Sequence, residues 1–143
     1  MSFNSREMDV GVAAAFATLT DPTTYPRWLV GAQAIRDVDA TWPKPGSRFH
    51  HVVGFGPLKI PDHSEVLEIE PGHLLRLKVK ARPFVSAVAT FTVVGDDHRC
   101  VVSVKEEPTT QMLGPVARVV LDPSIHLRNH RSLARLAAVL ESG

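Results

Sequence analysis

The spacing of apolar residues changes period along the chain, and each change marks an element. Over residues 10–19, Val12, Phe16 and Leu19 recur at steps of four and three, one stripe of a short helix. Asp21-Pro22 follows as an N-cap with proline at the first helical position. That predicts a second short helix carrying Tyr25, Trp28 and Leu29. Beyond Gly31 the period becomes two. Residues 34–38 predict a strand, and Trp42-Pro43-Lys44-Pro45-Gly46 a rigid loop. Residues 48–55 alternate, with Phe49, His51, Val53 and Phe55 on one face and Arg48, His50 and Val52 on the other. Gly54-Phe55-Gly56-Pro57 reads as a turn. Residues 58–69 hold another strand, in which Pro61 implies an edge or a bulge. Ile60 and Val66 argue for one face of that strand, Leu67 and Ile69 for the other. The pattern therefore leaves open which of Asp62 and His63 points inward.

After the turn at Pro71-Gly72 the alternation is clean. Leu75, Leu77, Val79 and Ala81 interleave with Arg76, Lys78, Lys80 and Arg82, as in an antiparallel strand with one dry and one wet face. Pro83 ends it. Residues 87–94 and 99–107 predict a hairpin turning at Gly95-Asp96-Asp97, and Pro108 stops the sheet. From about residue 112 the helical period returns. Val119, Asp122, His126, Asn129, Leu133, Leu136 and Leu140 form one stripe. Gly114-Pro115 and Asp122-Pro123 are expected to start, kink or divide this helix, with residues 124–140 continuous. An N-terminal strand, if formed, comes from residues 3–10, where only Phe3, Met8 and Val10 are apolar.

The order predicts an α+β domain: two short helices, a curved antiparallel sheet of six to seven strands, and a long C-terminal helix wrapped by that sheet. A sheet with one apolar face must cover it, and only the last helix is long enough. At 143 residues the chain is expected to form a single domain over 1–143.

Composition narrows the functions. The formal net charge is +1, too balanced for a protein whose affinity comes from phosphate neutralisation, so nucleic acid is excluded as a partner. Arg118, Arg128, Arg131 and Arg135 read as a solvated helix face. Cys100, the single cysteine, excludes an internal disulfide and reads as a buried, inert thiol. The polar first nine residues are unlike a secretory signal, and the longest apolar run falls short of the about 20 residues that cross a bilayer. Cytoplasmic localisation without membrane insertion is expected. No nucleophile elbow, phosphate loop or dinucleotide fingerprint is present, so no cofactor is implied. His126 and His130 have zinc-compatible spacing, but no third ligand is indicated and no metal is expected.

Thr20-Asp21-Pro22-Thr23-Thr24-Tyr25-Pro26-Arg27-Trp28 resembles the helix-loop-helix signature of the START-like, or Bet v 1-like (SRPBCC), superfamily, nearest its polyketide cyclase/dehydrase branch. Pro45-Gly46-Ser47-Arg48-Phe49 and Glu70-Pro71-Gly72-His73-Leu74-Leu75 resemble two of that family's turns, and the likeness spans residues 10–141. The resemblance implies a helix-grip fold with a cavity between the sheet and the last helix. The branch has no single catalytic constellation to transfer.

A cavity predicts that polar side chains on apolar stripes face a ligand. Asp122, His126 and Asn129 are such residues, unless His126 and Asn129 serve backbone groups or lie at the helix margin. Glu106 shares parity with Val102 and Val104. It either faces inward, paired with Arg48, His51 or His126, or lies in solvent at a fraying strand end. Trp28, Phe49, Val53, Leu77, Val79, Phe91 and Val104 are the expected apolar lining, with Arg48 at its edge. Three functions follow. The first is binding of a lipophilic small molecule of polyketide, lipid or isoprenoid type, by a monomer or homodimer. The second is a cyclase or dehydratase with His51, Glu106 or His126 as base, and Arg48 or Asn129 orienting the developing oxyanion. The third is a regulatory domain that binds a protein through Arg128, Arg131 and Arg135.

Overall fold

The computed structural model describes residues 2–30, 32–55, 58–81, 85–108 and 115–142. The elements are β1 (Ser2–Met8), α1 (Val12–Leu19), a 3-10 turn (Pro22–Thr24), α2 (Tyr25–Trp28), β2 (Ala32–Val38), β3 (Arg48–Phe55), β4 (Leu58–Glu70), β5 (Leu74–Ala81), β6 (Val85–Gly95), β7 (Cys100–Pro108) and α3 (Pro115–Glu141). The seven strands form one antiparallel, curved sheet in the order β1-β7-β6-β5-β4-β3-β2, with α3 packed on its concave side in a helix-grip α+β arrangement. The first and last strands of the chain are therefore hydrogen-bonded neighbours, and β1 returns to pair with β7 from Ser2↔Glu106 to Met8↔Cys100.

The expected N-terminal strand is present, but Phe3, the first of its apolar residues, does not face the core. Phe3 is 59% exposed, whereas Ser2, Asn4 and Met8 point inward. Pairing to β7 sets this parity, because Met8 must meet the inward row of Cys100 and Val102.

The conflicting signals in β4 have one cause. Val66 pairs with Leu77 and Ile69 with Leu75, so Leu67 is an extra residue in a bulge, and Val66 and Ile69 share the inner face. Leu67 points out. Pro61 sits opposite Val52 on β3, beyond the Ser64–Glu70 stretch that pairs with β5. Its missing N–H is tolerated there as on an edge. The turns at Gly54–Pro57 and before Pro83 fall partly or wholly outside the described residues.

The core joins both sides of the molecule. Asp21 accepts a hydrogen bond from the Thr23 amide at 3.0 Å, which starts the turn that delivers Tyr25 and Trp28 to the sheet. Edge-to-face contacts link Tyr25 to Trp28 (5.4 Å) and Phe49 (5.1 Å), Trp42 to Phe49 (5.3 Å) and Trp28 to Phe91 (6.1 Å). Cys100 is buried, and burial pushes its thiol pKa up.

α3 starts at Pro115 and runs unbroken through Asp122-Pro123, which does not divide it. Its second half is anchored along its length. Asn4 Nδ2 donates to the His126 carbonyl (3.2 Å), and the Asp9 amide donates to Glu141 (3.1 Å), so the helix runs beside β1 in the same sense. On the α2 side the Val30 amide donates to Ser132 Oγ (3.1 Å). Leu133, Leu136 and Ala137 fill the space between.

Candidate functional site: the polar end of the inner face

Inward positions on β7 are Cys100, Val102, Val104 and Glu106. Three are apolar and the fourth is a carboxylate only 4% exposed. The strand does not fray there, because Glu106 pairs with Ser2 on one side and Ala89 on the other. Pairing fixes its parity, and burial then obliges it to find partners. These come from the helix above. Arg128 Nη2 donates to Glu106 Oε2, and Asn129 Nδ2 donates to the same oxygen at 3.2 Å. Asn129 is itself 4% exposed, while the Arg128 side chain remains 38% exposed. Beside this group Ser2 Oγ donates to Asn4 Oδ1 (3.3 Å). One end of a largely apolar inner face thus carries a guanidinium, a carboxylate, two amides and a hydroxyl.

A second pair of polar residues faces one another in the β3–β4 register. His51 stands opposite Asp62 in the β3–β4 ladder, and the neighbouring pair, Phe49 and Ser64, is buried on the inner face. One-residue alternation puts the next pair, His50 and His63, outside, with ring centroids 6.1 Å apart. Beyond that pair comes the His51–Asp62 row. Two residues from Phe49 and from Ser64, its positions share their parity. Of Asp62 and His63, Asp62 therefore holds the inward position. The side chains of His51, Val53, Asp62 and Asp122 lie outside the described residues.

The other expected site residues divide clearly. Trp28, Phe49, Leu77, Phe91 and Val104 are buried in one core cluster, with Val79 packed against it. Arg48 is not an inward residue. Its side chain is exposed and donates from Nε to Glu65 (3.1 Å) on the outer face, since alternation places it opposite to Phe49. His126 is exposed, and only its carbonyl contacts the interior. Arg128 is not a freely solvated side chain, because its reach carries the guanidinium back to the buried carboxylate. Arg131 and Arg135 are exposed, as expected.

Sequence reasoning missed four contributors: Arg128 as the partner of Glu106, the inward Ser2 and Asn4, and Ser132 on the buried helix stripe. The spacing Asn129-Ser132-Leu133-Leu136 carried a signal for the last, since all four fit one helix side. Among the described residues no group of three or more His, Cys, Asp or Glu is placed to hold a metal ion. No described helix is long and apolar enough to cross a membrane.

A sheet wrapped on a C-terminal helix, with polar residues gathered at one end of its inner face, defines a helix-grip protein. The chain belongs to the family described as polyketide cyclase / dehydrase and lipid transport, which matches residues 4–141. A search of curated proteins finds no match. Among solved structures, the Zhui aromatase/cyclase from a Streptomyces species superposes with a TM-score of 0.74 at 12% identity, covering 97% of this chain and 92% of that one. The di-domain ARO/CYC StfQ of the steffimycin biosynthetic pathway gives 0.76 at 12% identity, with 98% of this chain matching 50% of that one. A protein from Nitrosomonas europaea gives 0.67 at 21% identity, covering 98% and 93%. At these identities the likeness is one of fold.

Proposed function

We propose that this chain binds a lipophilic small molecule, of polyketide, lipid or isoprenoid type, between the concave face of the sheet and α3. The observation that carries this reading is the Glu106–Asn129–Arg128 group, its carboxylate and amide buried, at one end of a largely apolar inner face. A core built for stability alone gains little from such a group, because desolvating a carboxylate offsets most of what its partners return. A few convergent polar groups beside apolar walls are what orient a ligand. Family membership supports the same reading.

The test is displacement of a neutral fluorescent apolar dye by polyketide-like and acyl compounds, on wild type and on Ala87→Phe. Ala87 is buried yet stands apart from the contiguous apolar core. An open interior accepts the ring with little loss of stability and loses the dye. A filled interior is destabilised by overpacking, typically by about 1–3 kcal/mol, and a wild type that never binds dye refutes the reading.

A cyclase or dehydratase reading is favoured by one register observation, His51 opposite Asp62 on the inner face. An imidazole titrates near neutrality and suits proton removal next to a carbonyl. Glu106 is less available to a substrate, since two donors already hold its Oε2. Turnover of a poly-β-ketone that vanishes in His51→Ala while binding persists would establish it; binding without turnover in the wild type would remove it.

A further inference from the structure

We infer that the ligand is an amphipathic acid, an apolar body ending in a carboxylate, whose head is held by Arg128. This rests on the ligand-binding reading above and adds the chemistry of the head group.

The observed geometry uses one corner of a planar five-donor group. Both of the guanidinium's hydrogen bonds leave from Nη2, to Glu106 Oε2 and, at 3.5 Å, to Asn129 Oδ1. Among the described residues Nε and Nη1 have no acceptor, and the side chain is 38% exposed. Glu106 is buried and cannot release its partner without leaving a bare carboxylate in the interior, so it holds the guanidinium in one place. Asn129 shares the burden by donating to the same oxygen. The outcome is a cation fixed at the boundary between interior and solvent, with its remaining edge presented. A guanidinium edge matches a carboxylate by two parallel hydrogen bonds, and an anchored one loses less side-chain freedom in making them.

Placement agrees with this chemistry. The pair sits where β7 ends, next to Ser2 of β1, and the apolar row of Val104, Phe91 and Leu75 crosses the inner face beside it. A ligand with its head at Arg128 lays its body over apolar surface. Local charge does not oppose the head, because Glu106 and Arg128 cancel and the new bonds form on the guanidinium edge away from the carboxylate.

The experiment compares palmitate with hexadecanol, which has the same chain without the charge, and 2-naphthoate with 2-naphthol, by displacement of the neutral dye. Wild type is expected to bind the acid of whichever pair fits at least tenfold tighter than its alcohol, the range of a charge-assisted hydrogen bond. The two pairs separate an acyl source from an aromatic one. The double variant Glu106→Gln with Arg128→Gln, which leaves no unpaired buried charge, is expected to bind acid and alcohol alike. An alcohol that binds wild type as tightly as its acid overturns this inference and leaves the ligand-binding reading standing. So does a double variant that keeps the preference for acid. Failure of all four compounds to bind overturns both. The wild-type contrast stands even if the double variant does not fold.

Discussion

Glu106 and Arg128 are unequal partners. The carboxylate is sealed and the guanidinium half in water, so truncating each has a different consequence. Arg128→Ala strands a buried charge. Breaking a fully buried pair costs about 3–5 kcal/mol, and the exposure of the guanidinium moves the expected loss toward about 2–3 kcal/mol, measured by denaturant unfolding. Replacing both, Glu106→Leu with Arg128→Met, is expected to restore most of it, since no charge is then desolvated. Tyr25 offers a second residue-scale test. It is the single tyrosine, its hydroxyl donates to the Leu19 carbonyl, and burial above all, with Asp21 adding to it, pushes its pKa far up. The folded state thus prefers the neutral phenol. Stability is complete below the unfolded value near 10 and falls as pH rises past it. Near-ultraviolet phenolate absorbance is expected only together with loss of the fold, and a phenolate signal from intact protein would contradict this packing.

Two turns at the end of the sheet opposite the polar group hold its hairpins. Asp96 accepts from the amides of His98 (2.8 Å) and Arg99 (2.9 Å), and these backbone bonds lower its pKa. A depressed carboxylate stabilises above its unfolded pKa, near 4, and that contribution fades as pH falls through the folded value. Asp96→Ala is therefore expected to flatten the acid limb of the stability curve and leave the neutral-to-alkaline limb unchanged in shape, followed by thermal melts across pH. The β4–β5 turn relies on backbone conformation instead. Gly72 has φ of +77° with open space where a Cβ would go, so Gly72→Ala meets no clash and only the left-handed penalty. The expected loss is about 1–2 kcal/mol, read from the shift in denaturant midpoint.

For the whole molecule, the polar group and the anchored half of α3 belong together. The helix is pinned at His126, Ser132 and Glu141, and Leu133 and Leu136 seal the interior beyond Asn129. A ligand that occupies the inner face of the folded state alone must stabilise it by mass action. At a hundredfold excess over its Kd the gain is about 2.7 kcal/mol, which for a chain of this size raises Tm by roughly 9 °C. Calorimetry with a saturating lipophilic acid checks this, and no shift at saturation would count against occupancy of the interior.

Much of this protein was legible in its residues alone. Periods of two and of three to four place six of the strands and two of the α-helices, because burying one face of a strand or helix imposes those spacings locally, and the Asp21-Pro22 cap signal places α2. Thr20–Trp28 carried the family resemblance, and the parity of Glu106 with Val102 and Val104 offered an inward carboxylate as one of two readings, the other a solvated residue at a fraying strand end. Tertiary structure decided what local spacing cannot reach. The polar β1 became a strand because β7 offered it a ladder from more than ninety residues away, turning Ser2 and Asn4 inward and Phe3 out. The bulge at Leu67 was invisible until Leu75 and Leu77 fixed its register. Arg128 reads as solvated on any helical projection, and only the approach of α3 to a buried carboxylate drew it back. Pairing and burial between distant segments set these outcomes, and no local period records them.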